Sequence, residues 1–176
     1  MQFALTPDHR EFFNKNSYIE LEGLLLADQI ALLRKNADET LSSRLRLPAA
    51  KLNELQAVDL FKAGYDLWRD NETIKKTTQK KALAALASDL FQTLPIRLAF
   101  DEYIYTSKSA AAPFSQAFSL QETSCLSPLA GALILPLEDL EQPLSFFPLP
   151  IKSGNGLFIS PSLPIPWPQL YSSPEL

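Results

Sequence analysis

The chain has 176 residues, 46% apolar and 20% charged, with a net charge of −4 at pH 7. That length suits a single domain over residues 1–176 with a substantial core, and the composition argues against intrinsic disorder. With one cysteine, Cys125, and one histidine, His9, the chain has no internal disulfide and no multi-cysteine zinc site.

No apolar run approaches the length of a membrane span, and Met1–Pro7 lacks a basic start followed by an apolar signal core, so a soluble cytoplasmic protein is expected. The acidic balance gives no global pull toward nucleic acid or anionic membranes. Charge is unevenly spread: residues 1–108 hold fifteen acids and fifteen bases, whereas residues 109–176 hold five acids and only Lys152.

In chain order, Thr6-Pro7 reads as an N-cap followed by proline at the first helical position, which predicts a short helix from Pro7 to about Asn14 anchored by Phe12 and Phe13. Ser17–Glu22 reads as a strand. Asp28 is expected to cap a longer helix with Ile30, Leu33, Ala37 and Leu41 inward and Arg34, Lys35, Asp38 and Glu39 toward water. Past Pro48, Ala49–Phe61 reads as one helix burying Leu52, Leu55 and Leu60; Gly64 and Asp70-Asn71 punctuate the connection to the next helix. From Glu72 to Thr93 a single helix is predicted, with Leu83, Leu86, Ala87, Leu90 and Phe91 as its apolar stripe, stopped by Pro95. Ile96–Thr106 alternates like a strand, with Ile96, Leu98 and Phe100 packing and Tyr103 and Tyr105 as further candidates, and leads into the Ser-Ala-rich link Ser107–Pro113.

Phe114–Pro168 forms the centre of the expected fold. Four short apolar pieces read as strands: Phe114–Leu120, Ala130–Leu137, Leu144–Phe147 and Gly156–Ser160. Uninterrupted apolar triplets such as Leu133-Ile134-Leu135 need cover on both faces, which a barrel or jelly roll supplies. Eleven of the fourteen prolines lie beyond residue 109, where they suit strand ends and crossovers. The expected class is α+β, an N-terminal helical layer (residues 1–95) on a β-rich core (96–176).

Several of these pieces carry a resemblance. Leu5-Thr6-Pro7-Asp8 and Phe12–Leu25, followed by the helix near Asp28–Leu41, are similar to the opening of the phytanoyl-CoA hydroxylase-like family. Gly131–Asp139 resembles its central strand, Pro143–Pro148 the strand that normally ends in Pro-Gly-Ser-His, and Lys152–Ile159 its Gly-Asp-Ala-Leu-Phe-Phe strand. Each piece is a loose apolar pattern; their shared order carries the likeness. The resemblance implies a double-stranded β-helix (jelly-roll, cupin-like) core flanked by helices. It also implies the chemistry of non-haem iron, 2-oxoglutarate-dependent oxygenases, which needs two histidines and a carboxylate around iron and a late arginine or similar cation for 2-oxoglutarate.

Those parts are missing. The His-x-Asp element would fall near Gln121-Glu122-Thr123 and the second histidine near Pro164 or Ile165, yet no histidine follows His9 and no arginine follows Arg97. The expectation is a degenerate oxygenase-like protein with no catalytic residues, no cofactor-binding residues and no metal ligands, serving as an interaction or small-ligand-binding module for an unknown protein or small-molecule partner. Two alternatives stay open. Glu122 and Cys125, with Glu138 or Asp139, are what an unconventional metal site would draw on, against Cys125 serving as a small buried apolar residue. Lys75, Lys76, Lys80 and Lys81 would form a stripe for nucleic acid, against a solvated helix face. Phe146, Phe147, Trp167 and Tyr171 would line a ligand cavity or pack the core.

Overall fold

A computed structural model describes residues 4–55, 57–104, 131–140 and 150–160. Helix α1, Pro7–Asn16, starts as its sequence dictates: Thr6 Oγ1 accepts the His9 N–H at 3.3 Å, and Pro7 occupies the first helical position. Ser17 then turns the chain at φ 63° into β1, Tyr18–Leu21. Of the two expected anchors, Phe13 is buried, but Phe12 is 44% exposed and meets Tyr18 edge-on at 5.7 Å.

Helix α2, Ala27–Leu45, buries Leu33, Ala37, Thr40 and Leu41, with Ile30 partly buried beside them. Asp28 is not its cap. The helix begins at Ala27, the Leu26 N–H is taken by Gln29 Oε1 at 3.0 Å, and Asp28 sits in the first turn, where its charge suits the helix N-terminus. The single helix expected over 49–61 is instead a 3₁₀ turn, Ala49–Glu54, and α3, Ala57–Gly64. Leu52 and Leu60 still reach one cluster with Leu41, because the bend keeps both inward.

The helix expected over 72–93 is likewise two, α4 (Glu72–Thr78) and α5 (Lys81–Phe91). Each has its own buried set, Ile74 in α4 and Leu83, Leu86 and Leu90 in α5, and the chain bends at Gln79-Lys80 to bring them to different clusters. Asn71 caps α4 by accepting the N–H groups of Thr73 and Ile74 at 2.9 and 3.1 Å. The strand expected over 96–106 is absent through Tyr103: only Glu102 makes a bridge, to Tyr65, while Tyr105 and Thr106 lie outside the described residues.

Two of the four core strands fall among the described residues, as β2 (Ala132–Ile134) and β3 (Gly156–Ile159). They join β1 in an antiparallel sheet ordered β1-β3-β2. Tyr18 faces Ile159 and Leu21 faces Gly156 across one ladder; Ala132 faces Ile159 and Ile134 faces Leu157 across the other. Central β3 is buried throughout, as its unbroken apolar run requires. Phe158 packs with Ile19, Phe13 and the buried face of α5, and its ring lies 6.2 Å from that of Phe91. Leu157 and Ile159 point the other way and are equally closed to water. Asn155 fastens the sheet's end, accepting the Gly23 N–H at 3.0 Å and donating to Glu20 at 2.6 Å. The architecture of the described residues is α+β with this three-stranded sheet. Phe114–Leu120 and Leu144–Phe147, which a double-stranded β-helix would use, lie outside them.

Candidate functional site

Among the described residues, a dense polar arrangement surrounds the link after α3. Asp66 turns left-handed at φ 55°, and a 3₁₀ turn, Leu67–Arg69, comes next. Residues 64–66 run antiparallel to 101–103, tied by Tyr103 N–H to Gly64 O at 2.9 Å and Asp66 N–H to Asp101 O at 2.7 Å. Gly64 is required here, because a Cβ would strike the Tyr103 carbonyl. Arg44, from the last turn of α2, holds the link from outside. Its guanidinium donates to the carbonyls of Ala63 (2.8 Å), Tyr65 and Asp66 (3.0 Å) and to the Asp70 carboxylate (2.7 Å). Carbonyls left over at the end of α3 are thereby satisfied by a charged donor.

The two bonds flank Tyr65 and Glu102, which makes them a non-hydrogen-bonded pair with side chains on one face, Cα atoms about 4.5 Å apart. Phe100, two residues before Glu102, shares that face, and its ring stacks on Tyr65 with centroids 5.1 Å apart and planes 22° from parallel. Asp66 and Asp101 belong to the other side. Asp66 accepts from Trp68 Nε1 at 3.1 Å and Arg69 Nε at 2.7 Å, Asp101 accepts the Trp68 N–H at 3.1 Å, and the Arg69 guanidinium lies 4.5 Å over the Trp68 ring.

The two faces differ in how their acids are served. Glu102 Oε1 is closed off from solvent without a hydrogen-bond partner, and burial alone pushes the carboxyl up to about 7. Asp101 is also raised by burial, against the pull of the Trp68 N–H. Burial raises the Tyr65 hydroxyl, helped by the charges of Asp66 and Glu102 and opposed by Arg69. Perturbed groups of this kind gathered at one place mark a candidate site. A groove of about 790 Å³ between α5 and Leu94–Ile96 is less promising, since its one acid, Asp89, is already held by Arg10 through two 2.8 Å bonds.

The residues singled out by sequence fall elsewhere. His9 Nδ1 accepts the Thr6 N–H at 3.2 Å, completing the capping box of α1. The four lysines do not share one helix: Lys75 pairs with Glu72 at 3.3 Å within α4, and Lys80 precedes α5. Glu138 pairs with Arg34 at 3.2 Å, whereas Asp139 accepts the Ser153 N–H at 2.8 Å, which lowers its carboxyl. Gln121, Glu122, Thr123, Cys125, Phe146, Phe147, Pro164, Ile165, Trp167 and Tyr171 lie outside the described residues. Among the described residues no three His, Cys, Asp or Glu side chains gather as a metal site, and no helix is long and apolar enough to cross a membrane.

Comparison with known proteins adds a fold. No family model matches the chain, and no curated protein matches it. Among solved structures, selenomethionine-labelled CT296 from Chlamydia trachomatis matches with a TM-score of 0.59 at 16% identity, over 91% of this chain and 82% of that one. The chain shares its fold with CT296. At that identity the likeness is one of fold alone.

Proposed function

We propose that this protein is a catalytically degenerate member of the 2-oxoglutarate oxygenase-like proteins, resembling the phytanoyl-CoA hydroxylase-like family. In this reading a jelly-roll core is kept, iron chemistry is lost, and the protein serves as an interaction or small-ligand-binding module. One observation carries it: the chain has a single imidazole and no guanidinium beyond Arg97. A ferrous facial triad takes two imidazoles and a carboxylate, so the donors here do not fit the metal in any alignment register. The position of His9 in the cap of α1 supports the same reading, since its Nδ1 is already engaged by a backbone N–H. Lys152, the one cation past residue 108, is exposed in the turn before β3.

The test is anaerobic calorimetric titration with ferrous ion and 2-oxoglutarate, with elemental analysis of the purified protein. No saturable binding of the pair at micromolar concentration is expected. Micromolar binding of both would refute the proposal and return the chain to the oxygenases.

A further inference from the structure

We infer that the face bearing Tyr65, Phe100 and Glu102 is a binding site for an alkylammonium group. Three features converge there. A carboxylate oxygen is withdrawn from water with nothing donating to it, and such an acceptor is costly to keep in a fold unless a ligand fills it. Beside it, the stacked Tyr65–Phe100 pair forms an aromatic wall, and Tyr65 stays 42% exposed, so the wall is open to solvent. The nearby cations are committed elsewhere: Arg44 to three carbonyls and Asp70, Arg69 to Asp66 and the Trp68 ring.

The chemistry of the occupant follows from these contacts. It must donate a hydrogen bond and carry positive charge, because a donor that also holds the carboxyl ionised replaces what burial removes. One unfilled oxygen suits the single-point ammonium better than the two-pronged guanidinium. The methylenes behind the nitrogen would lie along the aromatic rings, and the ammonium gains from their π faces. Among the described residues the other charged or titratable groups at this link are Tyr65 across the bridge, neighbouring Asp101, and Asp66, Arg44 and Arg69; the two acids belong to the other side with their own partners, and burial is what shifts Glu102.

A free amine and a lysine side chain of a partner protein offer the same head, and two probes separate them: n-butylamine and a terminally blocked Gly-Lys-Gly peptide. Binding is followed by NMR on the whole chain, with the Glu102 carboxyl carbon titrated with and without probe, and with n-butanol as an uncharged control. One or both cationic probes should bind, lower the Glu102 midpoint by a unit or more, bind roughly tenfold tighter at pH 8 than at pH 6, and lose at least tenfold in affinity in both Glu102→Gln and Tyr65→Ala. A peptide tenfold tighter than butylamine assigns the site to a protein partner; equal or weaker peptide binding assigns it to a small amine. Failure of both probes to bind at millimolar concentration overturns the inference, as does undiminished binding by a folded Glu102→Gln or equal binding of n-butanol. Since the site takes no residue from the three-stranded sheet and none from the expected iron positions, it stands or falls separately from the iron titration.

Discussion

Replacing Glu102 by Gln should stabilise the protein at neutral and alkaline pH. In the unfolded chain this carboxyl titrates near its ordinary 4.5, whereas burial pushes it up to about 7 in the fold. The folded state therefore binds the proton more tightly. Below pH 4.5 the group is neutral in both states and costs nothing through ionisation. Between pH 4.5 and 7 the cost of holding a buried charge grows, and above pH 7 it is fully present. At 1.36 kcal/mol per unit the whole interval corresponds to about 3 kcal/mol. Glu102 keeps part of its surface in water, and solvent screening brings this to roughly 1–2 kcal/mol. Urea unfolding of both proteins from pH 4 to pH 8 measures it. At pH 8 the Gln variant should unfold at roughly 0.5–1 M higher urea, with equal slopes, and the gap should close toward pH 4. A gap independent of pH, or one that favours the native Glu as pH rises, would show that the carboxyl is ionised without penalty and would remove the physical basis for its being poised.

Phe158→Ala should cost about 3–5 kcal/mol by thermal or urea unfolding, because the ring is completely buried at the meeting of the sheet, α1 and α5. Gly64→Ala should cost about 1–3 kcal/mol and speed amide exchange at Asp66 and Tyr103, since the added methyl collides with the carbonyl that follows the Tyr103 amide. Arg44→Met keeps the stem but returns three carbonyls and Asp70 to water; a loss of about 2 kcal/mol is expected, with the 63–70 link becoming the first segment cut in limited proteolysis.

The elements that sequence reading placed well have chemical punctuation. Thr6-Pro7 opens α1, Asn71 opens α4, and the alternation around Ile19 and Leu21 gives β1. Leu52 and Leu60, eight residues apart, keep a spacing that one straight helix satisfies and still fill one cluster across the bend, so that break leaves no mark in the apolar pattern. Ile74 and Leu83, nine residues apart, would fall on opposite sides of one straight helix, and that was the signal for the second break, after which they fill separate clusters. Over 96–103 the expected alternation does not hold: Leu98 is 41% exposed, Tyr103 on the opposite phase packs against the core, and a single bridge from Glu102 to Tyr65 stands where the strand was expected. The candidate site was missed for a related reason. Glu102 falls on the same alternate positions as Ile96, Leu98 and Phe100, and an acid in phase with an apolar set was the available signal. Its partner Tyr65 sits in a link whose position no periodicity fixes.

The order of strands in the sheet also governs how a ribosome must deliver this fold. Glu20 and Asn155 touch although 135 positions separate them, and β1 pairs with β3. At ordinary rates of synthesis of ~5–20 residues per second, the emerging first strand waits roughly seven to twenty-seven seconds for its mate. Helix α1 and the Leu83–Leu90 face of α5 are made well before that and share a cluster with Ile19 and Leu21. They are positioned to shelter those side chains as a provisional lid until the late-arriving hairpin of the nascent chain slides in beneath.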